Sequence, residues 1–371
     1  MLTLEGCARR LERVRGLMQE RGWEAVAVTL PGNVNYIERV LVPAGHPIVL
    51  WIDLEGPPLL VTDSPAPPAQ AEAVPFESYS PRRPIDLPWP EALAALDARL
   101  AGRARPATLA TERQSAPAAL GDLLNRRFPG CAVVDATAEW RRLRRIKDAD
   151  EVEVLRRLAR VAEAGYARAR EILRPGLTEV EVYIELQAAM TRAAGGPVET
   201  PGDYASGPRS LKEGGAPLDR RLEPGDLYVL DLFPAKWGYQ ADLCRTFAVG
   251  PRSEAQREGW EIVTEALRRA EKLVRPGRPA REVYGEIRAY LDGQPLAAGT
   301  FWHHLGHGVG SGGHEAPRLI PESDDLLEVG NVICLEPGLY NPRLQGGLRI
   351  ENMYWIREAG LERLNDSALD L

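Results

Sequence analysis

Imidazole side chains are concentrated in one glycine-rich segment, which reads FWHHLGHGVGSGGHE over residues 301–315. The chain has five histidines, and this segment contains all but His46: His303, His304, His307 and His314. Glycine lets a backbone approach a ligand closely and adopt conformations that other residues disfavour. The segment is therefore a candidate for metal binding or acid–base chemistry. The alternative is a glycine-rich surface loop whose histidines have structural roles.

A first pair of acidic residues could supply oxygen ligands beside these imidazoles. The segments DLYVLDLF and YQADLCRTFAV predict two strands joined by a short turn. If that turn centres between Lys236 and Trp237, Asp231 and Asp242 face each other across the pair. Opposed residues of an antiparallel pair project from the same face of the sheet.

A second pair repeats this arrangement further along the chain. The segments NVICLEP and LRIENMYWI predict another strand pair. Glu336 and Glu351 face each other there if the turn centres between Arg343 and Leu344. The strand pairs therefore offer two carboxylates each.

Buried carboxylate pairs are costly unless they share a proton or bind a cation. Four carboxylates and one imidazole would suit a pair of divalent ions such as manganese, cobalt or zinc. A hydroxide can bridge two metals about 3.5–4 Å apart. The alternative is that each acidic side chain is solvated or paired in a salt bridge.

The elements around these residues predict a duplicated α+β domain. A helix carrying Val154 and Leu158 and a second helix opening with a Thr178–Glu181 capping box precede the first strand pair. Two helices at about 254–275 and 279–292 precede the second strand pair. Residues 1–140 alternate helical and strand patterns and predict an α/β domain, with a loop over the proline-rich stretch 65–90. The boundary is predicted at 140/141, which gives the catalytic domain residues 141–371.

Composition excludes several classes of protein. The net charge of −7 argues against a nucleic-acid partner. No apolar run reaches the ~18–20 residues that cross a bilayer, and the first residues lack the apolar core of a signal peptide. We therefore expect a cytoplasmic protein without a membrane partner. The four scattered cysteines predict buried free thiols rather than disulfides.

Four motifs together resemble one family. LDLFPAKWGYQADLCRTF, HHLGHGVGSGGHEAP, ICLEPGLY and GLRIEN are similar, in order and spacing, to the pita-bread metallopeptidases. That family includes prolidase, aminopeptidase P and methionine aminopeptidase, with creatinase as a metal-free relative. The segment RLERVRGLMQERGWEAVAVTLPGNVNYI resembles the N-terminal domain of prolidase and creatinase more loosely. The resemblance implies a pita-bread fold for the catalytic domain.

The resemblance also implies roles for individual residues. His303 and His314 match histidines that contact the substrate and stabilise the developing oxyanion, and Arg349 matches an arginine that assists substrate binding. Glu336 would also act as general base toward a water that bridges the metals. His304 matches no family role, and we expect a structural one. The five implied metal ligands are Asp231, Asp242, His307, Glu336 and Glu351.

One position departs from the family pattern. Prolidases carry a histidine that helps position the substrate, and alignment on LDRRL places Gly214 at that point. Three explanations stay open: another residue substitutes, the specificity has shifted, or the activity is weak.

The favoured function is hydrolysis of Xaa-Pro peptide bonds with two divalent ions, manganese first and cobalt or zinc as alternatives. A dipeptidase is favoured over an aminopeptidase P, and the resemblance implies a homodimer acting on small peptides. One alternative is a metal-binding relative with shifted specificity. Others are a non-catalytic peptide-binding module and, less favoured because the four carboxylates are kept, a creatinase-like metal-free hydrolase.

Overall fold

The computed structural model describes residues 1–79, 81–82, 88–212 and 214–369. The chain divides into two compact units, Met1–Arg144 and Arg145–Leu371. None of the helices in these described ranges is long and apolar enough to cross a membrane.

The first unit is built on a six-stranded mixed sheet in the order β4-β3-β2-β1-β5-β6. Alternate residues of the central strands enter two separate apolar clusters, so that Val26 and Leu50 belong to one and Ala27 and Trp51 to the other. Both faces of the sheet are thus buried, as expected for an α/β layer. The strands are β1 (Ala25–Val28), β2 (Val49–Asp53), β3 (Leu59–Thr62), β4 (Glu72–Pro75), β5 (Thr108–Thr111) and β6 (Ala132–Asp135). The helices are α1 (Leu4–Arg21), α2 (Pro31–Glu38), α3 (Trp89–Leu100), α4 (Ala118–Arg127) and α5 (Thr137–Arg145).

The loop predicted over residues 65–90 is wrong in part. Strand β4 lies within it and pairs in parallel with β3, and helix α3 begins at Trp89. Strand β4 is an edge strand, where a proline such as Pro75 removes no ladder hydrogen bond that the sheet needs. Residues 80 and 83–87 of this stretch lie outside the described ranges.

The first half of the second unit places two helices before a three-stranded sheet. These helices are α6 (Ala149–Ile172) and α7 (Glu179–Ala193), and the predicted capping box opens α7 through Thr178 and Glu181. The sheet has the order β11-β8-β7, so β8 is central. The strands of this half are β7 (Gly202–Ser206), β8 (Leu227–Leu232), β9 (Ala235–Lys236), β10 (Tyr239–Gln240) and β11 (Leu243–Ala248).

The second half repeats this order with a larger sheet. Helices α8 (Glu254–Leu273) and α9 (Ala280–Asp292) precede a five-stranded sheet in the order β13-β12-β14-β17-β18. Its strands are β12 (Gly306–Gly308), β13 (Glu315–Leu319), β14 (Val332–Leu335), β17 (Asn352–Arg357) and β18 (Gly360–Arg363). A separate pair, β15 (Gly338–Leu339) and β16 (Leu348–Arg349), lies between β14 and β17 in the chain.

The predicted turn of the first strand pair is wrong by one residue. The turn residues are Trp237 and Gly238, with φ of 57° and 77°, which is the type I′ geometry of tight hairpins. Asp231 consequently pairs with Cys244 rather than with Asp242. The partner of Asp231 thus shifts by two positions, from Asp242 to Cys244, which leaves the two carboxylates as diagonal neighbours on one face.

The register of the second strand pair agrees with the prediction. Leu335 pairs with Asn352 and Gly338 with Arg349, so Glu336 and Glu351 stand at equivalent positions between these two ladders. The connection includes a 3₁₀ turn over Pro342–Leu344 rather than a two-residue hairpin.

Backbone and side-chain bonds join the two halves near these carboxylates. The N–H of Glu351 donates to the carbonyl of Cys244 at 3.0 Å. The fully buried Arg245 donates to the carbonyls of Cys244 and Glu351 and to the side chains of Asn352 and Ser367. Arg245 therefore fixes the start of β11 against the start of β17.

Replacing this guanidinium should destabilise the fold. We expect Arg245→Met to lower the free energy of unfolding by about 3 kcal/mol or more, because several buried acceptors lose their donor. Urea unfolding followed by circular dichroism measures the change. The exposed Arg257 provides the matched control, since Arg257→Met should change stability by less than about 0.5 kcal/mol. Equal effects of the two substitutions would contradict this role for Arg245.

Candidate metal centre

Five side chains predicted as ligands converge in the second unit. Four come from the ends of paired strands: Asp231 from β8, Asp242 just before β11, Glu336 just after β14 and Glu351 just before β17. The imidazole of His307 comes from the middle of β12. Its Nε2 lies 3.4 Å from a carboxylate oxygen of Asp242 and 3.6 Å from one of Glu336.

Their donor atoms form two overlapping clusters. Asp231, Asp242 and Glu351 have carboxylate oxygens within 4.8 Å of one another. Glu351 also belongs to a second such cluster, whose other members are His307, Cys334 and Glu336. The shared Glu351 links two groups of ligand size, as a centre for two ions requires.

These five residues are buried, and each is at most 5% exposed. Their pKa values reflect that burial. Burial raises the pKa of Asp231, Asp242 and Glu351 well above the ordinary carboxyl range, and neighbouring carboxylates raise it further. Burial also acts to raise the pKa of Glu336, but the nearby imidazoles of His304, His303 and His307 outweigh it and hold this pKa low. Glu336 is therefore the carboxylate that is ionised.

The unpaired atoms of the cluster fit a cation. Oδ1 of Asp231 and both carboxylate oxygens of Glu351 are buried and have no hydrogen-bond partner. Buried polar atoms in folded proteins are nearly always paired, so such orphaned acceptors indicate a missing positive group. Burial lowers the pKa of His307, which keeps its imidazole neutral and able to ligate.

Glycine makes room for His307 between its neighbouring strands. A Cβ atom at Gly306 would lie 2.1 Å from the carbonyl oxygen of Cys334, and one at Gly308 would lie 2.3 Å from that of Ala316. Both contacts are with backbone and cannot relax cheaply. These two glycines therefore let β12 pack closely enough to bring the imidazole into the cluster.

His303 is held by two hydrogen bonds. Its Nδ1 lies 2.7 Å from the carbonyl oxygen of His304, which can only accept, so Nδ1 carries the proton. Burial lowers the pKa of His303 to about 4. In the neutral ring Nε2 then accepts from the hydroxyl of Tyr340, at 2.7 Å. Tyr340 thus fixes the orientation and tautomer of His303.

The two remaining histidines of the loop border the cluster. Nδ1 of His304 lies 3.0 Å from Oε1 of Glu336. The ring of His314 lies 4.1 Å from that of His307, between centroids. His314 is exposed, although protein surrounds part of its ring. This partial burial and the neighbouring imidazoles of His307 and His304 lower the pKa of His314 to about 4. Its neutral ring is therefore open to a ligand from solvent.

Arg349 bridges two carboxylates. Its Nη2 donates to Oδ2 of Asp231 and to Oδ2 of Asp203, the second at 2.7 Å. Asp203 lies on β7 directly opposite Asp231 on β8. Like charges opposed across strands repel, and the shared guanidinium offsets that repulsion.

The position of Asp203 also explains why residue 214 is a glycine. The N–H of Gly215 donates to Oδ1 of Asp203 at 2.6 Å. A Cβ atom at Gly214 would lie 2.2 Å from that same carboxylate. The backbone at Gly214 is not left-handed, so space and not conformation requires glycine there.

Comparison with known proteins identifies the family. Residues 153–358 match the model of metallopeptidase family M24, and residues 10–146 match that of the creatinase/prolidase N-terminal domain. The chain belongs to metallopeptidase family M24. Membership of M24 implies divalent metal ions, in agreement with the orphaned acceptors of the cluster.

Two relatives of this chain are named Xaa-Pro dipeptidases. It is 36% identical to the Xaa-Pro dipeptidase of Pyrococcus furiosus and 34% identical to that of Pyrococcus horikoshii, over 62% of this chain. The chain covers 65% of the length of each of these relatives. The chain also resembles the solved structure of an Xaa-Pro dipeptidase from Bacillus anthracis, with a TM-score of 0.84 and 26% sequence identity. The match covers 98% of this chain and 99% of the Bacillus anthracis chain. The predicted fold class, an α/β domain followed by an α+β pita-bread domain, is confirmed.

Three residues of this M24 site were not predicted from the sequence. Cys334 precedes Glu336 by two residues, and that spacing on a strand could have placed its thiol on the same face. Tyr340 follows the first strand of the second pair, in ICLEPGLY, but carries no pattern of its own. Asp203 lies in a strand too short and glycine-containing to show a period.

Metal binding to this M24 centre should release protons. Asp231, Asp242 and Glu351 have raised pKa values in the metal-free protein, so they hold protons that a cation must displace. The apparent affinity for Mn²⁺ should therefore rise between pH 6 and pH 8. Calorimetric titrations in two buffers of different ionisation enthalpy measure the released protons. A binding enthalpy that is the same in both buffers would contradict the protonated state.

The contact of Gly214 with Asp203 predicts coupled stability. We expect Gly214→Ala to lower the free energy of unfolding by about 1–3 kcal/mol, because the new methyl group overlaps the Asp203 carboxylate. In an Asp203→Ala background the same change should cost at least about 1 kcal/mol less. Gly285→Ala is the control, since a Cβ there meets nothing within 4 Å. Additive effects at 203 and 214 would refute the steric explanation.

Proposed function

We propose that this M24 chain hydrolyses Xaa-Pro peptide bonds with two divalent ions at the described centre. The observation that carries the proposal is the buried set of four carboxylates and His307, three of whose oxygens have no partner. The names of the relatives from Pyrococcus furiosus and Bacillus anthracis support Xaa-Pro dipeptides as substrates.

Each side chain has a proposed part in the reaction. Asp231, Asp242, His307, Glu336 and Glu351 hold the ions. Divalent ions bound there would supply a Lewis acid and lower the pKa of a water molecule. Glu336 has the low pKa of a carboxylate that is ionised at neutral pH, so it can accept the proton of the attacking water and pass it to the leaving amine.

The substrate is bound by side chains that surround these ligands. His314 is exposed and can donate one N–H to the oxygen on which negative charge develops. Both ring nitrogens of His303 are already hydrogen-bonded, to Tyr340 and to the carbonyl of His304. His303 would therefore contact the substrate with its ring held in a fixed orientation. Arg349 positions Asp231 through the hydrogen bond from Nη2. Because its side chain is only 11% exposed, only the edge of the guanidinium can contact the substrate.

Other features of the function remain proposals of the same kind. Manganese is the proposed ion, with cobalt or zinc as alternatives, because the ligands are mostly oxygen atoms. We propose a homodimer and a cytoplasmic location on the resemblance and the sequence. The retained ligand set disfavours a metal-free hydrolase of the creatinase kind, and no contact among the described residues favours a non-catalytic module.

Glu336→Gln should remove the activity while leaving the fold. We expect kcat for an Xaa-Pro dipeptide to fall by about 10²–10⁴-fold, because the general base and one ligand oxygen are lost. Hydrolysis of Xaa-Pro dipeptides and Xaa-Pro-Xaa tripeptides with added Mn²⁺, together with bound metal by elemental analysis, provides the measurement. The exposed Glu322 gives the control variant Glu322→Gln, which should retain full activity. Cleavage by Glu336→Gln at the wild-type rate, or wild-type protein that takes up no metal, would refute this function.

A further inference from the structure

A thiol lies among the proposed ligands of the cluster around His307. Cys334 is on β14, two residues before Glu336, and residues two apart on a strand face the same side of the sheet. Its Sγ lies 3.8 Å from Oε1 of Glu336 and 3.5 Å from the carbonyl oxygen of His307. Cys334 is fully buried and forms no disulfide. The fold therefore holds this thiol beside the centre and away from solvent.

The spacing of the donor atoms fits one shared ion. Oε1 of Glu336 lies 3.6 Å from Nε2 of His307 and 3.8 Å from Sγ of Cys334. A tetrahedral zinc ion, with bonds of about 2.1 Å to N and O and about 2.3 Å to S, separates such ligand atoms by about 3.4–3.6 Å. Glu351 completes the set, since one donor atom from each of the four residues lies within 4.8 Å of the others. Small side-chain adjustments are therefore enough to place all four on one ion.

The carboxylate of Glu351 indicates a cation in this cluster independently of the thiol. Glu351 is 1% exposed, and neither of its carboxylate oxygens has a hydrogen-bond partner. Acceptors that are buried to this degree are nearly always paired in folded proteins. Because Glu351 belongs to both clusters, its two oxygens can serve one ion in each.

The two clusters differ in the kind of donor that they offer. The cluster of Asp231, Asp242 and Glu351 contains only carboxylate oxygens. The other cluster adds the imidazole of His307 and the sulfur of Cys334 to its carboxylates. Carboxylate oxygens suit manganese, whereas imidazole and thiolate ligands suit zinc. The two ion positions should therefore not be equivalent.

We propose that Cys334 is a further metal ligand, whose thiolate binds the ion on the His307 side of the centre and makes that position selective for zinc. A divalent ion deprotonates a thiol that coordinates it, so the raised pKa that burial gives Cys334 in the metal-free chain does not prevent ligation. The inference rests on the metal centre of the proposed function and narrows its choice of ions. The all-carboxylate position remains suited to manganese.

Cobalt(II) tests this inference directly, because thiolate ligands give Co²⁺ an intense near-ultraviolet charge-transfer absorption that oxygen and nitrogen ligands do not give. The full chain, freed of metal and titrated with CoCl₂, should gain this absorption as the position beside His307 fills. Cys334→Ser replaces sulfur by oxygen at nearly the same size. It should lose the absorption and still bind Co²⁺ through the remaining ligands. A wild-type chain that binds Co²⁺ without this absorption overturns the proposal without any variant.

Cys244→Ser is the matched control. Cys244 is also fully buried and pairs with the ligand Asp231 across the strands, but it is a member of neither cluster among the described residues. The Cys244 variant should keep the absorption. Cys334→Ala serves as the second variant if Cys334→Ser does not fold, as judged by its thermal unfolding. Absorption that persists in a folded Cys334 variant, or that disappears in folded Cys244→Ser, overturns the assignment to Cys334.

Ion selectivity gives a second measurement. Equilibrium dialysis of the full chain against Zn²⁺ or Mn²⁺, followed by elemental analysis, gives a dissociation constant for each ion. We expect Cys334→Ser to weaken Zn²⁺ binding about tenfold or more, which is the low end of the cost of losing a group around a metal site. Mn²⁺ binding should weaken less than about threefold, because manganese gains little from sulfur. Equal weakening of both ions would contradict a sulfur ligand.

Hydrolysis of Ala-Pro by the Co²⁺-loaded and Mn²⁺-loaded chains separates this inference from the proposed function. A chain that shows the thiolate absorption but cleaves no Xaa-Pro peptide supports the role of Cys334 and refutes the proposed reaction. A chain that cleaves the peptide with Co²⁺ and lacks the absorption refutes only the role of Cys334. A chain that takes up no Co²⁺ refutes both.

Discussion

Mutual repulsion among four buried carboxylates is the constraint on which the second unit depends. Asp231, Asp242, Glu336 and Glu351 are all but inaccessible to water, and Arg349 is the guanidinium that reaches one of them. Ionising all four without a counter-charge would cost far more than the net stability of a domain. The raised pKa values of three of them show how a metal-free chain avoids that cost, by holding protons. Cations in place of protons satisfy the same constraint and add reactivity.

The surrounding structure keeps these groups close despite their repulsion. Each acidic side chain stands at the end of a strand whose other residues are paired, so none can move away without disturbing a ladder. Arg245 and the Glu351–Cys244 backbone bond hold the two strand pairs together. Two of the nearby imidazoles add no positive charge that would compete with a cation, since burial lowers the pKa of His303 and His307 and keeps both rings neutral.

Sequence patterns predicted the parts of this site that depend on strand alternation. The second strand pair has the predicted register because apolar residues on both sides of Glu336 and Glu351 fix which positions are opposed. The first pair differs because turn position depends on backbone conformation. Trp237 has a positive φ, and an aromatic residue gives no indication of that. Because the register differs from the predicted one by two residues, Asp231 and Asp242 still lie on one face of the sheet. The error in the turn therefore did not affect the prediction that they share a site.

Contacts between distant segments could not be predicted in this way. The partnership of Asp203 with Arg349 joins residues 146 positions apart, and nothing in the local sequence of either residue indicates the other. Gly214 illustrates the difficulty from the opposite side. Alignment presents it as a lost side chain, because an alignment compares each position with its counterpart and not with its neighbours in space. The structure places a carboxylate from β7 in that volume, and the glycine is what allows it there. Gly214 is therefore not simply a lost side chain, because the space that a side chain would need there is filled by the Asp203 carboxylate.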